Sequence, residues 1–394
     1  MAHDFLLVHT RLLSTIATAL VALSFTSAAG LALERDLPTA ACDAAAGGGV
    51  PNQLRQMIAR GFNLPGWTDE WPPRAPDEKL LAHLRTVGLT HVRLPIRAEM
   101  LSERFANSPI VATQSLRQID LAVSTLLRLN YAVSIDMHSG DGFGALMAKR
   151  PNEALAALKE VWTTIAARYS STPPDRVLFE VLNEPDVPAS SWNTQGPEVV
   201  RAIRKMAPEH TIVFGPSFYQ RYEALTALTP LRESNIVYAF HYYDPMAFTH
   251  QGTTWSEGPL AHVRGVPFPA GLADVEPEMM RLGREGYTSS VQELRKQFSE
   301  HWDSARIGRA FEEVAQWMVR YRRPVIVNEF GVLSYAAAPT SRASWIRAVR
   351  QNAERFCVGW THWEYADGFG FVRRKNGVET LDPVIGSALI DAHQ

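Results

Sequence analysis

Eight short runs rich in Val, Ile, Phe and Tyr recur along this chain, separated by longer segments of helical spacing. The runs are "RGFNLPG" at 60–66, "THVRLPI" at 90–96, "YAVSIDMH" at 131–138, "RVLFEVLN" at 176–183, "TIVFGP" at 211–216, "NIVYAFHYY" at 235–243, "PVIVNEF" at 324–330 and "CVGWTHWE" at 357–364. They are near-continuously apolar, as strands covered on both faces must be, where a half-exposed sheet would alternate. Helices are expected at 77–87, 114–129, 152–169, 197–206, 219–228, 306–322, 341–356 and 383–392. In the clearest of these, Ile307, Phe311, Val314, Met318 and Tyr321 form one apolar stripe. Such alternation predicts an α/β fold, a single (β/α)8 barrel of parallel strands; a doubly wound open sheet is the alternative.

One connection exceeds what a barrel needs. The stretch 245–304 has little periodicity, and a long insertion after the sixth strand belongs where loops shape a substrate site. The chain of 394 residues is 46% hydrophobic and 20% charged with net charge −2, a globular composition with no basic run. Nucleic acid is therefore excluded as a partner.

Residues 1–30 differ from the rest. Arg11 precedes an uncharged run over 12–29 that ends in small residues, the pattern of a secretory signal peptide; a membrane anchor is the alternative. Residues 31–53 read as a flexible Ala/Gly/Pro-rich lead-in, leaving 54–394 as the barrel domain. Cys42 and Cys357 suit one disulfide in an oxidising compartment, or two unrelated thiols. A secreted or periplasmic monomer, off the membrane once the leader is removed, is the expectation.

Polar residues gather where the strands end. Arg93, Asp136, His138, Asn183, Glu184, His241, Tyr243, Asn328, Glu329, Trp363 and Glu364 would converge at one mouth of the barrel, since chemistry on this fold sits at the C-terminal strand ends. Glu184 and Glu329 would face one another there. Glycoside hydrolysis uses such a pair, one carboxyl protonated to donate to the leaving oxygen and one ionised to attack the anomeric carbon. Arg93 would keep a carboxylate charged, and Asn183 suits a sugar hydroxyl.

The motifs "VLNEP", "HYY", "VNEFG" and "WTHWEY", in that order, resemble those of glycoside hydrolase family 5, the cellulase family, from about residue 61 to 389. The resemblance implies a retaining enzyme with Glu184 as acid/base, Glu329 as nucleophile and Trp363 as the platform under the sugar. It implies that Arg93 and Tyr243 contact the nucleophile, and that His138 and His241 order the site and touch substrate. β-1,4-Glucan is the expected polymer, with β-1,3-glucan and β-mannan as alternatives, and no cofactor or metal is implied. One departure concerns the third strand, where His138 is followed by Ser139 and Gly140 instead of the second histidine frequent in the family.

Several residues carry simpler readings. Trp67, at the end of the first strand, is taken as a stacking residue, whereas Trp71, Phe143, Trp255 and Trp302 read first as packing. The "GDGFG" stretch at 140–144 reads as a turn, since it lacks the context of a phosphate loop. A metal-dependent hydrolase would need clustered His and Asp with ligand spacing, which the strand ends lack. A non-catalytic sugar-binding protein would have no need to keep both carboxylates.

Overall fold

The computed structural model describes residues 36–102, 109–138 and 140–390. Eight parallel strands close into a barrel in sequence order: β1 Arg60–Asn63, β2 His91–Ile96, β3 Ala132–Met137, β4 Val177–Glu180, β5 Thr211–Phe214, β6 Ile236–Tyr242, β7 Val325–Phe330 and β8 Gly359–His362. Pairing of β1 with β8 shuts the sheet and excludes the open alternative. Each strand falls within one of the apolar runs.

The helices around the barrel bury single faces. The helix Ser304–Tyr321 starts where the Asp303 side chain accepts the Arg306 N–H, and it stops at Arg322, whose φ of 52° is left-handed. Between those ends it buries Ile307, Phe311, Val314 and Met318. On the opposite side, Glu78–Thr86 is capped by Asp77, which accepts from the N–H groups of Lys79 and Leu80.

Inside the barrel two layers differ in kind. Near the strand starts, Ala132, Leu178, Val213, Val237, Ala239 and Ile326 form a separate small apolar cluster with Leu54 and Ile58. Leu54 belongs to the helix Asn52–Met57, so this segment plugs the N-terminal end of the barrel. Further along six of the strands, the lining turns polar at Asn63, Arg93, Asp136, Glu180, His241 and Asn328, all buried. The plug makes one end a core and leaves the other end for chemistry.

Four local expectations need correction. The lead-in is ordered from Asp36 onward: Pro38 at the start of Leu37–Ala45 and the Asp36 cap nucleate a helix, and Cys42 is bonded to Cys357. The signal-peptide expectation for 1–30, like residues 31–35, lies outside the described residues. The "GDGFG" stretch opens the helix Asp141–Lys149, with Gly144 N–H donating to Gly140 O at 3.0 Å. The insertion holds two longer helices, Leu272–Arg284 and Thr288–Gln297, besides the short Met246–Thr249 and the 3-10 turn Pro259–His262. Finally, an unexpected antiparallel hairpin, β9 Val372–Lys375 and β10 Val378–Leu381, turns through Asn376 and Gly377, both at positive φ. Asn-Gly is the strongest short hairpin signal.

Candidate active site

Arg93, fully buried on β2, organises the polar layer. Its Nε and Nη2 donate to the two oxygens of Glu180 at 2.7 and 2.9 Å, a fork-to-fork pair. Nη1 donates to Asn63 Oδ1 at 2.9 Å and to Glu329 Oε1 at 2.7 Å. Nη2 also reaches Asn183 Oδ1 at 2.8 Å and Asp136 Oδ2 at 3.1 Å. One guanidinium thus meets carboxylates or amides from β1, β3, β4 and β7, which no lysine could do with a point charge.

Glu329 is held at both oxygens. Arg93 takes Oε1, and the Tyr243 hydroxyl donates to Oε2 at 2.9 Å. Both oxygens are thereby fixed in place. Glu184 is freer, with its side chain 34% exposed against 7% for Glu329. Its Oε1 lies 2.8 Å from His241 Nδ1, which is 3.5 Å from Glu329 Oε2. Burial raises the Glu184 carboxyl above its ordinary range, against the pull of His138 and Arg93. Burial also lowers His241 to about 4, so its imidazole is neutral near pH 7.

Strand geometry explains how neighbours reach the same space. On β6, His241 and Tyr243 turn inward while Tyr242 points out, stacked on Trp345 at 6.0 Å. On β7, Asn328 donates to Glu180 Oε1 at 2.7 Å and Glu329 bonds Arg93, so two successive residues face inward. Strict alternation forbids this. The ladder accommodates it with a register shift, Phe240 pairing with Val327 but His241 with Glu329.

The remaining side chains line two cavities that share Glu184, Tyr243, His250 and Trp255. The first, roughly 400 Å³, holds both carboxylates together with His138, Asn183, Trp363 and Glu364. His138 stacks on Trp363 at 5.6 Å; it lies 3.0 Å from Asp136 through Nδ1 and 3.3 Å from the Asn183 amide through Nε2. Glu364 is pushed up to about 8 by burial, so it stays protonated near pH 7 and can donate a hydrogen bond. The second cavity, roughly 370 Å³, contains Glu184 but not Glu329 and is walled by Tyr219, Arg221, Tyr222, Asp244 and Met246. The two cavities adjoin at Glu184, so space for a substrate extends to either side of that carboxyl.

The structure brings together Arg93, His138, Asn183, Glu184, His241, Tyr243, Glu329 and Trp363, drawn from six strand ends. Trp67 is corrected: at 3% exposure it packs in the main apolar core, with no face for a sugar. Phe143 and Trp302 are buried as packing was expected to require, and Trp360 is wholly buried. Trp255 departs from packing, being 60% exposed at the junction of the two cavities. Asp136, expected at the same mouth, is wholly buried, 3.0 Å from His138 Nδ1, and raised to about 6 by that burial.

Residues 53–366 match the profile of Cellulase (glycosyl hydrolase family 5). The chain belongs to that family. This glycosyl hydrolase is 31% identical over 364 residues to Endoglucanase 3 of Fibrobacter succinogenes, a match covering 86% of the chain and 54% of that relative. The chain therefore spans about half the length of that protein. Endoglucanase C of Acetivibrio thermocellus is 25% identical over 77% of the chain and 90% of its own length. Among solved structures, the cellulose synthase subunit Z of Clostridioides difficile is 26% identical with a TM-score of 0.68, covering 84% of this chain and 99% of that one. Cel5A of Thermotoga maritima with cellobiose shares the fold at a TM-score of 0.70 and 24% identity, over 86% of this chain and 100% of that one.

Three residues escaped the sequence reading of this family 5 enzyme. Asn63 and Glu180 sit within apolar strands and show their role only through Arg93. Gln220, in a loop after β5, accepts the Glu184 N–H at 2.8 Å. A buried acid inside a strand, as at Glu180, was the one usable signal, because such a charge requires a partner. Among the described residues, Glu184, His241 and Glu329 could also offer one ligand atom each to a cation, all within 4.8 Å. Arg93 and Tyr243 already occupy the Glu329 oxygens, which disfavours a further positive charge there.

Proposed function

We propose that this glycoside hydrolase cleaves β-1,4-glucan internally with retention of configuration, as a secreted or periplasmic monomer. The observation that carries the mechanism is the proximity of the two carboxyls, whose oxygens approach within 4.8 Å. Retention goes with carboxyl groups roughly 5–5.5 Å apart, whereas inversion needs about 6.5–9.5 Å to admit a water. Glu329, ionised, attacks the anomeric carbon as the bond to the leaving oxygen breaks, and Glu184 delivers its proton to that oxygen. Water then loses a proton to Glu184 and displaces Glu329 from the sugar.

The supporting chain runs outward from this pair. The Asn183 carbonyl is committed to Arg93, which turns its amide N–H groups toward His138 and the sugar side. Trp363 offers a face beside Glu329, and Glu364 a proton for a sugar hydroxyl. The cavity on the Glu184 side receives the leaving portion, and a cleft open past both carboxyls supports internal cutting of a polymer. Relatives named endoglucanase support internal cutting of a glucan. The disulfide and the 1–30 pattern support an oxidising destination.

The test is product analysis on soluble β-1,4-glucan, β-1,3-glucan, mixed-linkage glucan and mannan, with the anomer of the first product followed by NMR. Short mixed oligomers of β-configuration from β-1,4-glucan are expected. Release of monomer alone, or an α-anomer formed first, would remove the proposal.

A further inference from the structure

Gln220 stands at the end of an unusual stretch of backbone. Phe218, Tyr219 and Gln220 have φ of 58°, 56° and 52°, three successive non-glycine residues in the left-handed region. Side chains disfavour that region, and runs of it persist only where the surrounding structure fixes them. Here the run delivers one wholly buried amide side chain beneath the catalytic pair.

That side chain and its backbone hold two residues at once. Gln220 Oε1 accepts the Glu184 N–H at 2.8 Å, and Gln220 O accepts the His241 N–H at 2.8 Å. Glu184 lies beyond the end of β4 with φ of 44°, so its N–H has left the strand ladder and depends on this acceptor. Space for the amide comes from Gly215, where a Cβ would lie 2.0 Å from Gln220 Nε2. Glu184 and His241, tied below by Gln220, meet above at 2.8 Å.

We infer that Gln220 is a positioning residue for the general acid, acting through the Glu184 backbone and not on the sugar. The inference rests on Glu184 being the acid/base. Its consequence is selective: a misaimed acid slows departure of poor leaving groups, while leaving groups that need no proton depart as before. Phe218 and Tyr219 on the same turn are exposed, Tyr219 in the wall of the second cavity, so the amide is the one buried side chain of the three.

The test compares kcat/KM for phenyl and 2,4-dinitrophenyl β-cellobiosides, a quantity that reads the first displacement. Q220M, which removes the acceptor at similar volume, is expected to lower the phenyl value by about 10–100-fold, a fraction of what a general acid contributes. The dinitrophenyl value should stay near that of the wild type. Q220E, which keeps an acceptor oxygen, should recover most of the loss. Equal loss on both substrates, or no recovery in Q220E, would overturn the inference. Should Q220M not fold, G215A, which displaces the amide without touching Glu184, carries the same comparison with the same criterion. E184A is the control: if it shows no leaving-group dependence, the acid assignment itself fails, a result distinct from failure of Gln220 alone.

Discussion

His241 Nδ1 lies 2.8 Å from Glu184 Oε1, a neutral imidazole against a carboxyl whose proton affinity is raised. A neutral neighbour contributes no full charge to pull the proton off. Desolvation therefore prevails, and Glu184 keeps its proton to higher pH than an exposed glutamate.

The sign of the pH dependence follows. The acid form of Glu184 is complete below its raised pKa and is lost as pH rises through it, so the basic limb of kcat/KM should lie above the usual carboxylate range. Profiles on phenyl β-cellobioside, compared with Glu184→Gln on the dinitrophenyl substrate, check this. A limb in the wild type within the ordinary carboxylate range, or one that persists unchanged in Glu184→Gln, would count against it.

Glu329→Gln should lower turnover by roughly four orders of magnitude or more, in line with losing a covalent nucleophile. The fold should survive, since the amide oxygen can still accept from Arg93 while the amide nitrogen donates to the Tyr243 hydroxyl oxygen. Single-turnover assays beside circular dichroism decide between the two effects.

Glu184→Ala with added azide should give a glycosyl azide of retained configuration, because the small anion needs no base to attack the glycosyl-enzyme. NMR of the product reads the anomer directly. Absence of any azide adduct would take Glu184 out of the acid/base role.

Arg93→Met should destabilise by about 3–5 kcal/mol, as it strands the buried acids Asp136, Glu180 and Glu329 without a counter-charge. Arg93→Lys keeps a charge but loses the fork, so it should fold better than the Met variant and still lose activity. Urea titrations of both variants with kcat/KM alongside give the comparison.

Reduction of Cys42–Cys357, or its replacement by two serines, should cost about 2–5 kcal/mol in urea unfolding. Activity at low temperature should hold, since Cys357 precedes β8 and lies at the end of the barrel away from the carboxyls. EDTA should likewise leave activity intact; a loss restored by a divalent cation would recast the Glu184–His241–Glu329 group as a metal site.

The strands were legible because burial on both faces writes itself as apolar runs, and the acids at 184 and 329 because they interrupt such runs at their ends. Partnership was not legible. Asn63 and Glu180 mean something only beside Arg93, which is distant from both in sequence. Trp67 misled because a tryptophan at a strand end has two fates, and only packing decides between them. The helix Leu37–Ala45 was hidden by Ala and Gly, whose composition fits a tether as well as a docked helix. Gln220 fell inside the helix expected at 219–228, whereas the helix begins at Tyr222 and leaves Gln220 in the turn before it.

The register shift at Phe240 and His241 sets what kind of change β7 can absorb. Conservative replacements along 325–330 alter contacts one at a time. Removing a single residue there would restore a regular ladder and, by the two-residue repeat of a strand, rotate Asn328 and Glu329 onto opposite faces. The more regular barrel would be the inert one. Insertions, deletions and chimera junctions therefore belong outside this strand, however permissive its apolar sequence looks.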